Sequence, residues 1–154
     1  MLVSNLTGSI DSSSRVIHEL ISSCHEARER FRSAAAGSGN DILKRLLEIY
    51  AQQRSRFAEE LRDHLLSHRH GDSPESSEVH EWNRSFSLGE DSLRDCLDSD
   101  SRTLQLYRQA LSSRDLPTRT LFLISSQLAL LERAHDRVST LVNRTGAMEP
   151  MIRA

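Results

Sequence analysis

The sequence predicts an all-α protein, an antiparallel four-helix bundle, on the strength of three observations. Apolar residues recur at steps of three and four along four long segments, which is the period of a helix with one buried side. Aromatic residues make up only 5% of the chain, with three Pro and six Gly, which suits leucine-rich helices better than a β-sandwich. A length of 154 residues is that of one domain with a continuous core.

The first helix is predicted to start at the N-capping serines 12–14 and to end at the turn 37–40, where glycine and asparagine accept the left-handed conformation. Asn40 or Asp41 then caps a second helix that runs to about residue 68. The inward positions of the first helix are Ile17, Leu20, Cys24, Ala27, Phe31 and Ala34, and those of the second are Leu43, Leu47, Tyr50, Arg54, Phe57 and Leu61.

The connection between the second and third helices is the longest in the chain. Residues 69–77 are polar and include Gly71 and Pro74, which break a helix. Beyond them, Trp82 and Phe86 indicate a short extra amphipathic helix that lies across the bundle. Only this connection is long enough to cross from one end of the bundle to the other, as in ferritin-like topology. An up-down-up-down bundle with a transverse helix at its end stays open as the alternative.

The third helix is predicted from about Asp91 to Ser113 and the fourth from Asp115 to Asn143. The third turns its leucines and Asp100 inward, and Pro117 suits the first turn of the fourth, where its missing N–H costs nothing. Residues 1–11 are predicted to be a flexible leader and residues 146–154 a flexible tail, so that the bundle spans residues 12–145.

Charge and the N-terminal sequence exclude several classes of function. Lys and Arg (20) nearly balance Asp and Glu (22), which argues against a nucleic-acid binder. Residues 1–10 lack the basic and apolar regions of a signal peptide, and no run approaches the roughly 20 apolar residues of a membrane span. We therefore expect a cytoplasmic protein with no membrane or nucleic-acid partner, and with Cys24 and Cys96 as buried thiols. No nucleophile or phosphate-binding motif occurs, so no catalytic residue is predicted.

Six polar residues are predicted on or beside the inward faces of the helices. Because unpaired buried charges are costly, they should meet one another or an ion. They are Arg28, Gln53, Arg54, Asp100, Glu132 and His135.

One interpretation is a metal site. Asp100, Glu132 and His135 would be its ligands, since carboxylate sites in bundles bind iron or manganese through Glu-x-x-His motifs. Glu48 or Glu60 would be the extra ligands. The second helix has no carboxylate or histidine at the matching level, in Gln53–Arg56, so the site would be incomplete.

The other interpretation is a structural network. Arg28 and Arg54 would offset Asp100 and Glu132, and His135 would complete a hydrogen-bonded layer that sets helix register. A separate group, His64, His68, His70 and His80, contains two imidazoles one turn apart that suit zinc. We predict no physiological site there, because histidines at a helix C-terminus interact well with its dipole.

Four segments carry a family resemblance: residues 46–61, 107–111, 115–117 and 127–138, of which Ala134-His-Asp-Arg-Val138 is the most specific. Together they resemble an uncharacterised bacterial family of ferritin-like four-helix-bundle proteins, a domain of unknown function, over residues 15–143. The family usually carries Glu where this chain has Asp100. The resemblance implies the bundle and a bacterial cytoplasmic setting, often among stress-related proteins, and it implies no reaction.

We therefore expect a non-enzymatic helical-bundle protein without a cofactor, acting as a homo-oligomer or by binding a protein partner. Trp82 and Phe86 would supply the contact. The alternative is a ferritin-like iron or manganese protein, or an oxidase, with an incomplete site at Asp100, Glu132 and His135.

Overall fold

The computed structural model describes the backbone of residues 4–67 and 92–152 and the side chains of residues 12–67 and 93–144. These residues form four α-helices, namely α1 (Ser4–Ala36), α2 (Asp41–Ser67), α3 (Ser92–Ser112) and α4 (Thr118–Ile152). The described backbone contains no strand, so the prediction of an all-α, four-helix protein is confirmed for that part of the chain.

The helix bounds match the predictions in the interior of the sequence and differ at its two ends. Helix α1 begins at Ser4 and α4 continues to Ile152, so the predicted leader and tail are helical over residues 4–11 and 146–152. Gly8 and Gly146 do not interrupt them, because a glycine in a helix costs only about 1 kcal/mol relative to alanine. The predicted extra helix around Trp82 and Phe86 lies outside the described residues, as do His68, His70 and His80.

The turn between α1 and α2 follows the predicted capping chemistry. The Asn40 side-chain oxygen accepts hydrogen bonds from the backbone N–H groups of Ile42 (3.0 Å) and Leu43 (3.2 Å). These are two of the donors that the first turn of a helix leaves without a partner. At the other side of the turn, the Gly37 N–H donates to the Ser33 carbonyl at 3.1 Å. Asn40 is therefore the N-cap of α2.

Each helix packs side by side with two others. Helix α1 packs against α2 and α3, and α4 packs against α3 and α2. Side-chain hydrogen bonds connect these neighbours at several levels, such as Ser23 with Thr103 (2.6 Å) and His64 with Thr120 (2.7 Å). In the interior, Arg54 of α2 also reaches Asp100 of α3.

The buried apolar residues form two clusters. The larger one contains Ile17, Leu20, Ile21, Cys24, Phe57, Ala58, Leu61, Leu65, Leu104, Tyr107, Ala110, Leu116, Ile124, Leu128 and Leu131. The smaller one contains Ala27, Phe31, Ala34, Ala35, Leu47, Ala51, Cys96 and Val138. On α2 the two clusters meet at Arg54, on α3 near Asp100 and on α4 near His135. We call these three residues the polar layer, since they lie where one cluster gives way to the other.

Over the residues described, none of the helices has an apolar stretch of the length needed to cross a lipid bilayer.

Candidate functional site

The polar layer is built around a buried ion pair. Arg54 and Asp100 both have fully buried side chains, and Asp100 Oδ1 accepts hydrogen bonds from Arg54 Nε (3.1 Å) and Nη2 (2.7 Å). Arg54 Nη1 donates to the side-chain oxygen of Gln53, and the Arg54 guanidinium carbon lies 5.1 Å from the centre of the Phe31 ring. The guanidinium is therefore balanced by a carboxylate, an amide and an aromatic face.

His135 connects the ion pair to the surface. Its Nδ1 lies 3.1 Å from Asp100 Oδ2, the oxygen that Arg54 leaves free. The His135 side chain is 19% exposed, whereas Asp100 is fully buried. The polar layer thus runs from Arg54 on α2, which Gln53 also contacts, through Asp100 on α3 to the His135 imidazole at the edge of α4.

Four of the six predicted inward polar residues come together, and two do not. Arg28 bonds to its neighbour Glu29 (Nη2 to Oε1, 2.9 Å) and remains partly exposed. Glu132 pairs with Arg108 of α3 (3.2 Å), and both of these side chains are solvent-accessible. The prediction that Arg28 and Glu132 belong to the buried network is therefore corrected. Each of the two directly follows a buried residue in the sequence. Because one residue turns a helix by about 100°, the side chain is rotated away from the buried side of its helix.

A second polar chain joins all four helices, and the sequence analysis missed it. The Tyr107 hydroxyl on α3 lies 3.2 Å from Cys24 Sγ on α1 and donates to Gln127 Oε1 on α4 at 2.8 Å. The Gln127 amide nitrogen donates to Glu60 Oε2 on α2 (2.9 Å) and to the Phe57 carbonyl. Because the Tyr107 proton goes to Gln127, the Cys24 thiol must donate its own proton to Tyr107.

The position of Gln127 in the helical repeat of α4 was a signal in the sequence that this residue is buried. It lies three residues after Ile124 and four before Leu131, which puts it on the buried stripe of α4. Tyr107 was predicted to be buried, and that prediction is confirmed, but its hydroxyl partners lie on other helices.

Burial controls the acidity of the thiols and of the phenol. Burial raises the pKa of the Cys24 thiol to about 11, although the Tyr107 hydroxyl, which can donate to the thiolate once it forms, acts in the opposite direction. Burial also raises the pKa of Cys96 and that of the Tyr107 hydroxyl. The prediction that both cysteines are buried is confirmed, and at neutral pH both are protonated thiols with little nucleophilic character.

The predicted metal ligands are not arranged to hold an ion. Both oxygens of Asp100 are used by Arg54 and His135, and Glu132 is turned towards Arg108. Of the two extra ligands considered, Glu48 is exposed on α2 and Glu60 accepts a hydrogen bond from Gln127. In the described ranges no three His, Cys, Asp or Glu side chains form a group suited to a metal ion. A guanidinium beside Asp100 would also repel a dication, so these residues do not fit an iron or manganese site.

A groove of about 300 Å³ opens between α3 and α4 at the end of the polar layer. Ser101, Leu104 and Arg108 line it from α3, and Glu132, His135 and Asp136 line it from α4. Two of the predicted site residues, Glu132 and His135, therefore face the same space although only His135 bonds to Asp100. Of the polar layer only His135 lines this groove, since Arg54 and Asp100 are fully buried.

Comparison of the sequence with protein-family models and with curated proteins finds no match. The family resemblance drawn from the sequence stays a prediction.

Proposed function

We propose that this protein is a non-enzymatic ferritin-like helical bundle that acts by self-association through the outer side of α2. The bundle topology is supported by the order of the cross-helix contacts. Ser23 of α1 meets Thr103 of α3 and Arg30 of α1 meets Asp95 of α3, an order that supports opposite directions for the two helices. Along α2 and α4, Glu60 meets Gln127 and His64 meets Thr120, again in opposite order.

These directions support a bundle in which α2 and α3 run parallel. With α1 antiparallel to both of its neighbours α2 and α3, the end of α2 and the start of α3 lie at opposite ends of the bundle. This order of ends supports ferritin-like topology, in which a long connection joins two parallel helices.

A structural role for the interior is supported by how the buried charges are satisfied. Arg54, Asp100 and His135 bond to one another, and Tyr107 and Gln127 do the same within their own chain. A buried polar group that is fully paired fixes how helices fit together, and it has no unused group for chemistry in the interior.

Self-association is supported by a row of exposed positions on α2, which we call the outer α2 face. Ile42 and Ile49 are 77% and 58% exposed, and they lie one heptad apart on the same side of the helix. Leu66 is a further exposed apolar residue on the row. In sequence order the face consists of Ile42, Arg45, Ile49, Gln52, Arg56, Glu59, Asp63 and Leu66.

Part of the outer α2 face is complementary to a second copy of itself. In an antiparallel pair of α2 helices related by a two-fold axis, Ile42 of one copy meets Leu66 of the other and Arg45 meets Asp63, while Ile49 lies opposite Glu59. Both contacts occur twice, as in any two-fold interface. A helix of 27 residues, about 40 Å long, offers a contact line along the full length of α2.

Sedimentation equilibrium at several protein concentrations tests this proposal. The wild-type chain should dimerise, and the double variant Ile42→Glu/Ile49→Glu should be monomeric because it places four carboxylates in the interface. Phe122→Glu on α4 is the matched control, since Phe122 is also 77% exposed and lies off the outer α2 face. A wild-type chain that stays monomeric overturns the proposal, and so does dissociation by Phe122→Glu alone.

The iron or manganese protein stays the alternative prediction, and the bacterial, cytoplasmic and stress-related setting rests on the resemblance. Elemental analysis after anaerobic loading with ferrous iron or manganese separates the two functions. We expect no stoichiometric metal. One or two ions per chain, lost on His135→Ala and retained on His64→Ala, would replace our proposal with the metal-binding function.

A further inference from the structure

The ring nitrogens of His135 have fixed and different roles. Asp100 forms a fully buried ion pair with Arg54, so its carboxylate is ionised and only accepts hydrogen bonds. His135 Nδ1 lies 3.1 Å from Asp100 Oδ2 and must therefore carry the proton of that bond. In the neutral imidazole the other nitrogen, Nε2, then holds a lone pair. A buried carboxylate that fixes a histidine in this way makes Nε2 a directed hydrogen-bond acceptor.

The groove of about 300 Å³ gives this acceptor a place to act. His135 lines the groove while its Nδ1 is held from the interior, so Nε2 is the nitrogen left for a bound group. Behind the ring, Asp100 and Arg54 are fully buried, so the ring cannot easily turn away.

The charges around the groove select a cation. Glu132 and Asp136 are two carboxylates and Arg108 is one guanidinium, which leaves a net charge of about -1 before the imidazole is counted. Arg108 is bonded to Glu132 (3.2 Å), so these two largely offset each other. Asp136 and His135 Nε2 remain as acceptors.

We propose that the groove between α3 and α4 is a binding site for a small alkylammonium ion. The ammonium N–H groups donate to His135 Nε2 and to the Asp136 carboxylate. Asp100 is a positioning residue, since it holds the ring and does not touch the ligand. The site is separate from the outer α2 face, so it stands independently of the proposed self-association.

The ligand must combine a charge with N–H donors. A hydroxyl compound satisfies the acceptors but not the charge, and a quaternary ammonium supplies the charge without any donor. With few contacts, the expected affinity is weak, with a dissociation constant of roughly 1 mM.

The test is an NMR titration of the histidine side chains with n-butylammonium chloride, at about pH 8 and constant ionic strength. The His135 ring signals, assigned from a His135→Gln variant, should show Nδ1 protonated in the free protein and a saturable shift of Nε2 on titration. Tetramethylammonium and 1-butanol should produce no saturable shift.

Two exposed carboxylates give a matched pair of variants. Asp136→Asn should weaken butylammonium binding about tenfold, the loss expected for one hydrogen bond to a charged group. Asp98→Asn, on α3 and away from the groove lining, should leave binding unchanged. Amide spectra check that both variants keep the wild-type fold.

Four results would overturn the proposal. The first is a free protein in which Nε2 rather than Nδ1 of His135 carries the proton. The second is a His135 signal that does not saturate with butylammonium, and the third is an equal response to tetramethylammonium, which would mean binding by charge alone. The fourth is equal weakening by Asp136→Asn and Asp98→Asn.

Discussion

At the scale of single residues, the buried arginine is the side chain that most needs partners in the interior. Arg54 has no solvent exposure, and taking a guanidinium out of water costs several kcal/mol. That cost is offset by Asp100, the Gln53 amide and the face of Phe31, which together surround the charge. Such an arrangement requires three helices to meet at one level, so it constrains how they fit together.

Ionisation of Cys24 should lower the stability of the protein at alkaline pH. Burial raises its pKa from 9.0 to about 11, so the folded protein holds the thiol proton more tightly than the unfolded chain does. This contribution is complete below about pH 9 and is lost as the pH rises towards 11. We therefore expect the urea midpoint of the wild type to fall between about pH 8.5 and pH 10.5, partly because of Cys24.

The variant Cys24→Ser isolates the Cys24 contribution, since a serine hydroxyl does not titrate in this range. The difference between the two proteins in free energy of unfolding should shrink as the pH rises over the same interval. Parallel curves for the two proteins would show that the thiol ionises equally easily in both states.

At the scale of the helices, rotation about the helix axis decides which charges are inside. Arg28 and Glu132 each follow a buried residue and lie at the edge of a stripe, where they find partners near the surface. Asp100 and Gln127 lie within their stripes and are buried. An error of one position in helical phase is therefore enough to misplace a charged residue.

The N-cap of α2 should contribute measurably to stability. Asn40→Ala removes the acceptor for the N–H groups of Ile42 and Leu43, which should lower the free energy of unfolding by about 1 kcal/mol. Thermal or urea denaturation measures this directly. Asn143→Ala is the control, because Asn143 is exposed in the body of α4 and should change stability by less than about 0.5 kcal/mol. Equal effects of the two variants would contradict a capping role.

At the scale of the whole molecule, the polar layer divides the core into two apolar clusters. Arg54, Asp100 and His135 come from three helices, at the level where one cluster ends and the other begins. A shift of any one helix by a turn would separate these groups and leave a charge buried without a partner. The layer therefore favours one register of the helices over others.

Replacing one member of the buried ion pair should cost far more than replacing both. Arg54→Met or Asp100→Leu alone should destabilise the protein by about 3–5 kcal/mol, because the remaining charge is left buried. The double variant should recover most of that loss, since two apolar side chains need no partner. Urea denaturation of the four proteins gives the coupling energy between the two sites.

The exposed pair Arg108–Glu132 is the control for this double-mutant cycle. This pair joins α3 and α4, the two helices that enclose the groove, and both of its charged groups remain in contact with water. Its single variants, Arg108→Met and Glu132→Leu, should each change stability by less than about 1 kcal/mol. If the two cycles gave the same coupling energy, burial would not be the cause of the large effect at Arg54 and Asp100.

The sequence by itself determined the four helices of the described residues and the buried stripe of each, and it narrowed the cap of α2 to Asn40 or Asp41. These follow from local chemistry, because periodicity and capping depend on residues within one or two turns of each other. For the same reason it correctly put Arg54, Asp100 and Tyr107 on inward positions.

Only the tertiary structure decided which partner each polar group takes. Asp100 bonds to residues 46 and 35 positions away, on two other helices, and Glu132 turns to Arg108 rather than to Asp100. These choices depend on the rotation and relative height of helices that the local pattern leaves free. The groove beside His135 also depends on them, because it exists only where α3 and α4 are held at that separation by the residues between them.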